Sequence, residues 1–201
     1  MTLRRRLLIA ASLPLLALAA ACGGPESSGS STAAQAAPAA APAAPAGPGT
    51  PMSAAGITFD LPAGWTPEVP SSAMRAAQVV VPGSGGPGQM VLFYFGPGQG
   101  GGVEANLQRW VGQMAAEPGT QPTRDAFTSG PYQVTWMEMA GTLKASQIGS
   151  FPATDMPGYR MLAAVVEGEN GPWFFRAVGP DATLAEQRDA FLAMIRSVRT
   201  G

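Results

Sequence analysis

Residues 90–114 read MVLFYF, then GPGQGGG, then VEANLQRWVGQM. The first segment is an apolar run with the length of a buried strand, and a glycine-rich loop ends it. In the third segment the apolar residues recur with the period of an amphipathic helix, at Val103, Leu107, Trp110, Val111 and Met114. The pattern predicts a strand, a tight loop and a helix that packs back against the sheet, and the folded part of the chain is organised around this unit.

Strands and turns alternate through the rest of the folded part. Strand-like apolar patterns occupy 57–61, 75–81, 126–128, 132–143, 159–167 and 173–178. Thr183-Leu184-Ala185-Glu186 is a capping box, which opens a C-terminal helix. Because hairpin connections dominate, we expect an α+β domain over residues 54–201, with an antiparallel sheet and helices packed on it.

The composition excludes several classes of site within this domain. The chain has no histidine, and its single cysteine, Cys22, precedes the domain. Imidazole metal ligands, Ser-His or Cys-His nucleophile pairs and disulfide bonds are therefore excluded. After Cys22 the sequence has nine basic and thirteen acidic residues, a net charge of −4. This balance argues against nucleic acid as a partner and against electrostatic attraction to anionic lipid.

The N-terminus is typical of an exported protein. Three arginines at 4–6 precede an apolar segment, 7–21, which is short for a bilayer span and is interrupted by Pro14. The segment ends in Leu18-Ala19-Ala20-Ala21-Cys22, which resembles the lipobox of bacterial lipoproteins, although Ala19 stands where leucine is commoner. The resemblance implies a signal peptide over residues 1–22 and a lipid on the Cys22 thiol. An ordinary secretory signal with an unrelated cysteine is the alternative.

Two features that follow Cys22 bear on location. Gly23 takes the place of the aspartate that retains Gram-negative lipoproteins in the inner membrane, so resemblance to that sorting rule implies the outer membrane, facing the periplasm. Residues 23–53 are rich in alanine, proline and serine and contain no aromatic residue. Such a segment cannot bury enough surface to fold, and its prolines exclude a helix. It predicts a disordered tether that reaches roughly 90 Å when extended.

Residues 57–199 resemble a group of bacterial lipoproteins and exported proteins of unknown function. The motifs that carry this resemblance are Phe95-Gly96-Pro97-Gly98-Gln99-Gly100-Gly101, Glu104-Ala105-Asn106, Arg109-Trp110, Gly158-Tyr159-Arg160-Met161-Leu162 and Gly171-Pro172-Trp173-Phe174-Phe175. The strand order and the turn Leu61-Pro62-Ala63-Gly64-Trp65 also look like the PsbP-like fold, a sandwich of helices around an antiparallel sheet. The resemblance implies this fold and implies no activity.

A polar stripe beside the apolar face of the predicted helix is the candidate binding surface. Asn106, Arg109 and Gln113 lie three and four residues apart, and Gln99 in the glycine loop joins them. The alternative is structural, with Asn106 bonded to the glycine loop and Arg109 paired with a carboxylate.

The remaining candidate sites favour structural interpretations. The glycine loop approaches a phosphate-binding pattern, but no Lys-Ser/Thr follows it and Pro97 lacks a backbone donor, so a turn that needs positive φ is the better interpretation. Glu167, Glu169 and Asn170 lie at a predicted hairpin tip and match no full Ca²⁺ motif. We therefore expect no cofactor and no metal site.

Two function classes follow from the sequence. The first is a membrane-anchored envelope lipoprotein with a non-catalytic binding or accessory domain, held to the membrane by lipid on Cys22 and open to a protein partner in the envelope. The alternative is an envelope hydrolase. It would use Lys144 with Ser146 or Ser150, or acid pairs such as Glu138 and Asp155, although no nucleophile elbow surrounds these residues.

Overall fold

The computed structural model describes residues 49–146 and 152–201. The predicted signal peptide, Cys22, the tether up to residue 48 and Ser150 lie outside the described residues. The elements are β1 Thr50–Ala54, β2 Ile57–Leu61, β3 Thr66–Glu68, β4 Arg75–Val81, β5 Gly88–Tyr94, α1 Val103–Gly112, β6 Met114–Ala116, β7 Thr123–Ser129, β8 Tyr132–Leu143, β9 Met156–Glu167, β10 Trp173–Pro180, α2 Asp181–Glu186, α3 Arg188–Arg196 and β11 Arg199–Thr200. Among these residues, no helix is both long and apolar enough to cross a membrane.

The strands form two antiparallel sheets. The large sheet has eight strands in the order β3-β4-β5-β10-β9-β8-β6, and β7 also pairs with β8. The small sheet has the order β1-β2-β11. Strand β1 contains Thr50 to Ser53, the last residues of the predicted tether, and it pairs with β2 along its whole length.

Both faces of the large sheet carry apolar clusters. On the first face, β2 of the small sheet and helices α2 and α3 pack over the sheet, with Phe59, Phe175 and Phe191 among the fully buried side chains. On the second face, α1 contributes Leu107 and Trp110 to a cluster with residues of β8, β9 and β10. The long strand β8 contributes to both clusters, the first half through Tyr132, Val134 and Trp136 and the second half through Met137, Met139 and Leu143.

The prediction of an α+β domain, a PsbP-like sandwich with helices packed on an antiparallel sheet, is wrong. Strands make up 48% of the described residues and helices only 17%, so the fold is β-rich. The sequence patterns missed β1, β3, β6 and β11, which are short and mostly exposed, so no apolar alternation marks them. The C-terminal helix is also divided at Gln187 into two short helices.

The strand, loop and helix of residues 90–114 occur as expected, with one difference at the end. Helix α1 stops at Gly112, with Gln113 as its C-terminal capping residue, and Met114 begins β6. Glycine weakens the helix at this point. Met114 stays 3% exposed and belongs to the same second-face cluster as Trp110. The end of the helix therefore lies directly over the sheet.

Candidate functional site

Helix α1 covers only part of the second face of the large sheet. Its apolar side chains pack on β8, β9 and the start of β10. Over β4 and β5 no helix of the described chain covers this face, and a cleft of about 420 Å³ lies there. We call it the arginine cleft, and its lining includes Val80, Gln89, Val91, Leu143, Met156, Tyr159, Arg176 and Val178.

Strand register builds the floor of the arginine cleft in rows. One row crosses the sheet through Gln78, Val91 and Arg176, which are direct partners on β4, β5 and β10. The next row is Val80, Gln89 and Val178. Polar side chains therefore stand among valines on strands that are otherwise apolar.

Arg176 lies in the middle of the floor. Its Nη1 donates a hydrogen bond of 3.0 Å to Oε1 of Gln113, the capping residue of α1. Its guanidinium also lies over the ring of Phe93, 5.6 Å from the ring centre. The helix end and the sheet both help to fix the position of this arginine, because Gln113 follows α1 and Phe93 lies on β5.

A buried polar network joins the glutamines of the two floor rows. Arg75 Nη1 donates to Oε1 of Gln78 at 2.6 Å and to Oε1 of Gln89 at 2.8 Å. Gln78 Nε2 in turn donates to Oε2 of Glu68 at 2.9 Å. Arg75 and Gln78 are each only 6% exposed, so these hydrogen bonds satisfy groups that have little access to water. Burial lowers the pKa of Arg75, and the charge of Glu68 opposes that shift.

Two other arginines, Arg75 and Arg109, lie within electrostatic reach of Arg176. The pKa of Arg176 is lowered from 12.5 to about 10, first by burial and then by the charges of Arg75 and Arg109. Within residues 49–146 and 152–201, neither Arg75 nor Arg109 forms an ion pair. Elsewhere in the domain, carboxylates pair with Arg124, Arg160, Arg188 and Arg199. Among the described lining residues Arg176 is the cation and Glu68 the carboxylate, and the charges of Arg75 and Arg109 act on Arg176 from outside the lining.

The four residues of the surface predicted from the sequence do not form one surface in the structure. Gln113 lies at the arginine cleft, through its bond to Arg176. Asn106 is 1% exposed, and its Nδ2 donates to the carbonyls of Gly100, Gly101 and Gly102, as the structural alternative expected. Arg109 is exposed and donates to Oδ1 of Asn106 rather than to a carboxylate. Gln99 is exposed in the glycine loop and is not one of the described residues that line the cleft.

The geometry of the glycine loop is that of a turn. Gly96, Gly98, Gly100 and Gly101 all have positive φ, which other residues rarely adopt. At Gly100 a Cβ atom would also lie 2.5 Å from the Phe174 ring. The glycines therefore let the chain pass close to the sheet before α1 begins.

The residues proposed for a hydrolase have structural contacts. Lys144 Nζ donates at 3.0 Å to the carbonyl of Gly112, where a cation is favoured by the helix dipole. Asp155 accepts a hydrogen bond from the backbone N–H of Ala145, and Glu138 pairs with two arginines. Among the described residues, no three acidic side chains are grouped so as to hold a metal ion.

The site residues predicted from the sequence did not include Arg75, Gln78, Gln89 or Arg176. One signal was available for three of them, since Gln78, Gln89 and Arg176 are polar side chains within apolar strands, as in Trp-Phe-Phe-Arg-Ala-Val. No protein-family model matches the chain, and no curated protein matches it significantly.

Proposed function

We propose that the protein is a membrane-anchored envelope lipoprotein whose domain binds an organic anion in the arginine cleft without acting on it chemically. The anchor is the lipid expected on Cys22, and the location that its sequence context favours is the outer membrane, facing the periplasm. The observation that carries the binding proposal is the place of Arg176 in the cleft, held there by Gln113 and Phe93, with Arg75 and Arg109 near enough for their charges to lower its pKa.

An anion in the cleft would offset a cost that the fold carries. A pKa of about 10 in place of 12.5 means that holding the charge of Arg176 in the fold costs about 3 kcal/mol relative to the unfolded chain. A carboxylate or phosphate group beside a guanidinium forms charge-assisted hydrogen bonds and removes part of that cost. Groups held at such a cost in a cleft are typical of binding sites.

The lining favours binding over catalysis. Among the described residues that border the arginine cleft there is no serine, threonine, cysteine or lysine, the usual nucleophiles. The one carboxylate among these described lining residues is Glu68, which accepts a hydrogen bond from Gln78. A general acid–base pair needs two such groups. Arginine, glutamine and valine side chains can hold and orient a ligand, but they supply neither a nucleophile nor a general acid–base pair.

Anion-dependent thermal stability of the mature chain tests this proposal. Acetate and butyrate would be added at constant ionic strength to the wild type, to Arg176→Gln and to the control Arg196→Gln. Arg196 is a fair control because its guanidinium also lies over a phenylalanine ring, 4.3 Å from the centre of Phe127, outside the cleft lining. At a concentration of 100 times Kd, a ligand stabilises the fold by about 2.7 kcal/mol.

The expected result is a rise in melting temperature for the wild type and for Arg196→Gln, with little or no rise for Arg176→Gln. The same rise in all three proteins would mean that the anions act on general surface charge. No rise in any of them would also contradict an anion site in the cleft.

A further inference from the structure

We propose that the anion bound in the arginine cleft carries an aliphatic chain, and that this chain lies over Val80 and Val178 while the charged group contacts Arg176. The inference rests on the proposed function and adds the chemical class of the ligand. It follows from the polarity of the cleft, which changes along the direction of the strands.

The charged and the apolar parts of the floor are adjacent rows. Arg176 and Val178 lie two residues apart on β10 and point to the same face, so they are separated by about 7 Å. Val80 and Val178 flank Gln89 in the second row. Gln89 lies between the two valines, and its Oε1 accepts the hydrogen bond from Arg75 at 2.8 Å. A chain that leaves Arg176 in this direction therefore meets valine side chains.

The facing wall of the cleft is apolar as well. Leu143 and Met156 border the cleft from the β8 and β9 side, together with Tyr159. Val80, Val178 and Met156 are only partly buried, so a ligand can still remove apolar surface from water. An amphiphilic anion matches this arrangement in both halves, whereas a small inorganic anion would use only the charged half.

An aromatic ligand fits the charged half less well. Phe93 is the ring nearest Arg176, and the guanidinium lies over it. The ring of Phe95 is stacked on Phe93, with 6.4 Å between the ring centres. The aromatic surface beside the arginines is therefore already in contact with protein groups.

A series of alkanoates of increasing length tests the inference. Calorimetric titration would compare acetate, butyrate, hexanoate and octanoate on the wild-type mature chain, and hexyl phosphate would test whether the charged group must be a carboxylate. Transfer from water predicts about a four-fold gain in affinity for each methylene that the cleft fully buries. Hexanol, which has the chain without the charge, should bind much more weakly than hexanoate.

The matched variants are Val178→Thr and Val69→Thr. Both exchange a valine for a β-branched residue of similar shape, but Val178 lies on the cleft floor, whereas Val69 is 89% exposed and outside the lining. In Val178→Thr the gain with chain length should shrink while the affinity for acetate is kept. In Val69→Thr both should stay as in the wild type.

The outcomes separate this inference from the proposed function. If acetate binding depends on Arg176 but affinity does not rise along the series, the proposal of an aliphatic chain is overturned and the anion site is retained. A failure of every anion to bind would overturn both. Equal gains in the wild type and Val178→Thr would place the chain elsewhere on the protein and would also overturn the inference.

Discussion

Replacement of Trp110 by alanine should destabilise the domain strongly, because this side chain holds α1 on the second face of the sheet. Trp110 is 3% exposed and packs in the cluster that includes Leu107 and Met114. A tryptophan buries about 150–250 Å², and truncation of a buried aromatic costs about 3–5 kcal/mol because a cavity remains. For a domain of this size, that loss lowers the melting temperature by about 6–20 °C.

Arg109→Ala is the control on the same helix. Arg109 is exposed, and its described hydrogen bond goes to the side chain of Asn106, so its loss should cost about 1 kcal/mol. Urea unfolding of both variants, with equal m values, would measure the difference. If Trp110→Ala unfolds at the wild-type urea concentration, or if Arg109→Ala loses more stability than Trp110→Ala, the helix is not held by the packing described here.

Three further changes have defined outcomes. Asn106→Ala should cost about 1–3 kcal/mol in urea unfolding, because three carbonyls of the glycine loop lose their donor; an unchanged midpoint would contradict this. The pKa of Arg176 is lowered to about 10 by burial and by Arg75 and Arg109, below its unfolded value, so the unfolded chain binds more protons above pH 10. The wild type should therefore gain about 1 kcal/mol of stability relative to Arg176→Gln between pH 8 and pH 11, and a constant difference would refute the charge cluster. Metabolic labelling with an alkynyl fatty acid should mark the wild type and not Cys22→Ser, and equal labelling would exclude the lipid anchor.

The sequence predicted the strands and helices in which one face is buried, because burial of one face makes apolar residues recur at a regular spacing along the chain. Strand β2 shows this, since Ile57, Phe59 and Leu61 alternate with half-buried neighbours and all three are buried. Short edge strands such as β3 and β11 bury little, so their residues show neither the strand spacing nor the helix spacing of apolar side chains. Their omission, together with the short lengths of α2 and α3, explains why the predicted balance of helix and sheet was wrong.

The site was harder to predict than the fold because it depends on register. Arg75 and Arg176 are about a hundred residues apart in sequence, and both lie beside β5 only through the pairing of β4 and β10 with that strand. Gln113 was predicted as part of a helical stripe, and its role follows instead from the end of α1 at Gly112. A polar residue within an apolar strand is the one local sign of such a site, and the local sequence does not show which other residues will contact it.

The most direct test of the arginine cleft is the side-chain ¹⁵N–¹H spectrum of the arginines during a titration with hexanoate. The Nε–H resonance of Arg176, assigned with Arg176→Gln, should move and saturate, while that of Arg196 should stay in place. A spectrum in which Arg176 does not move, or in which both resonances move together, would contradict the assignment of this cleft as an anion-binding site.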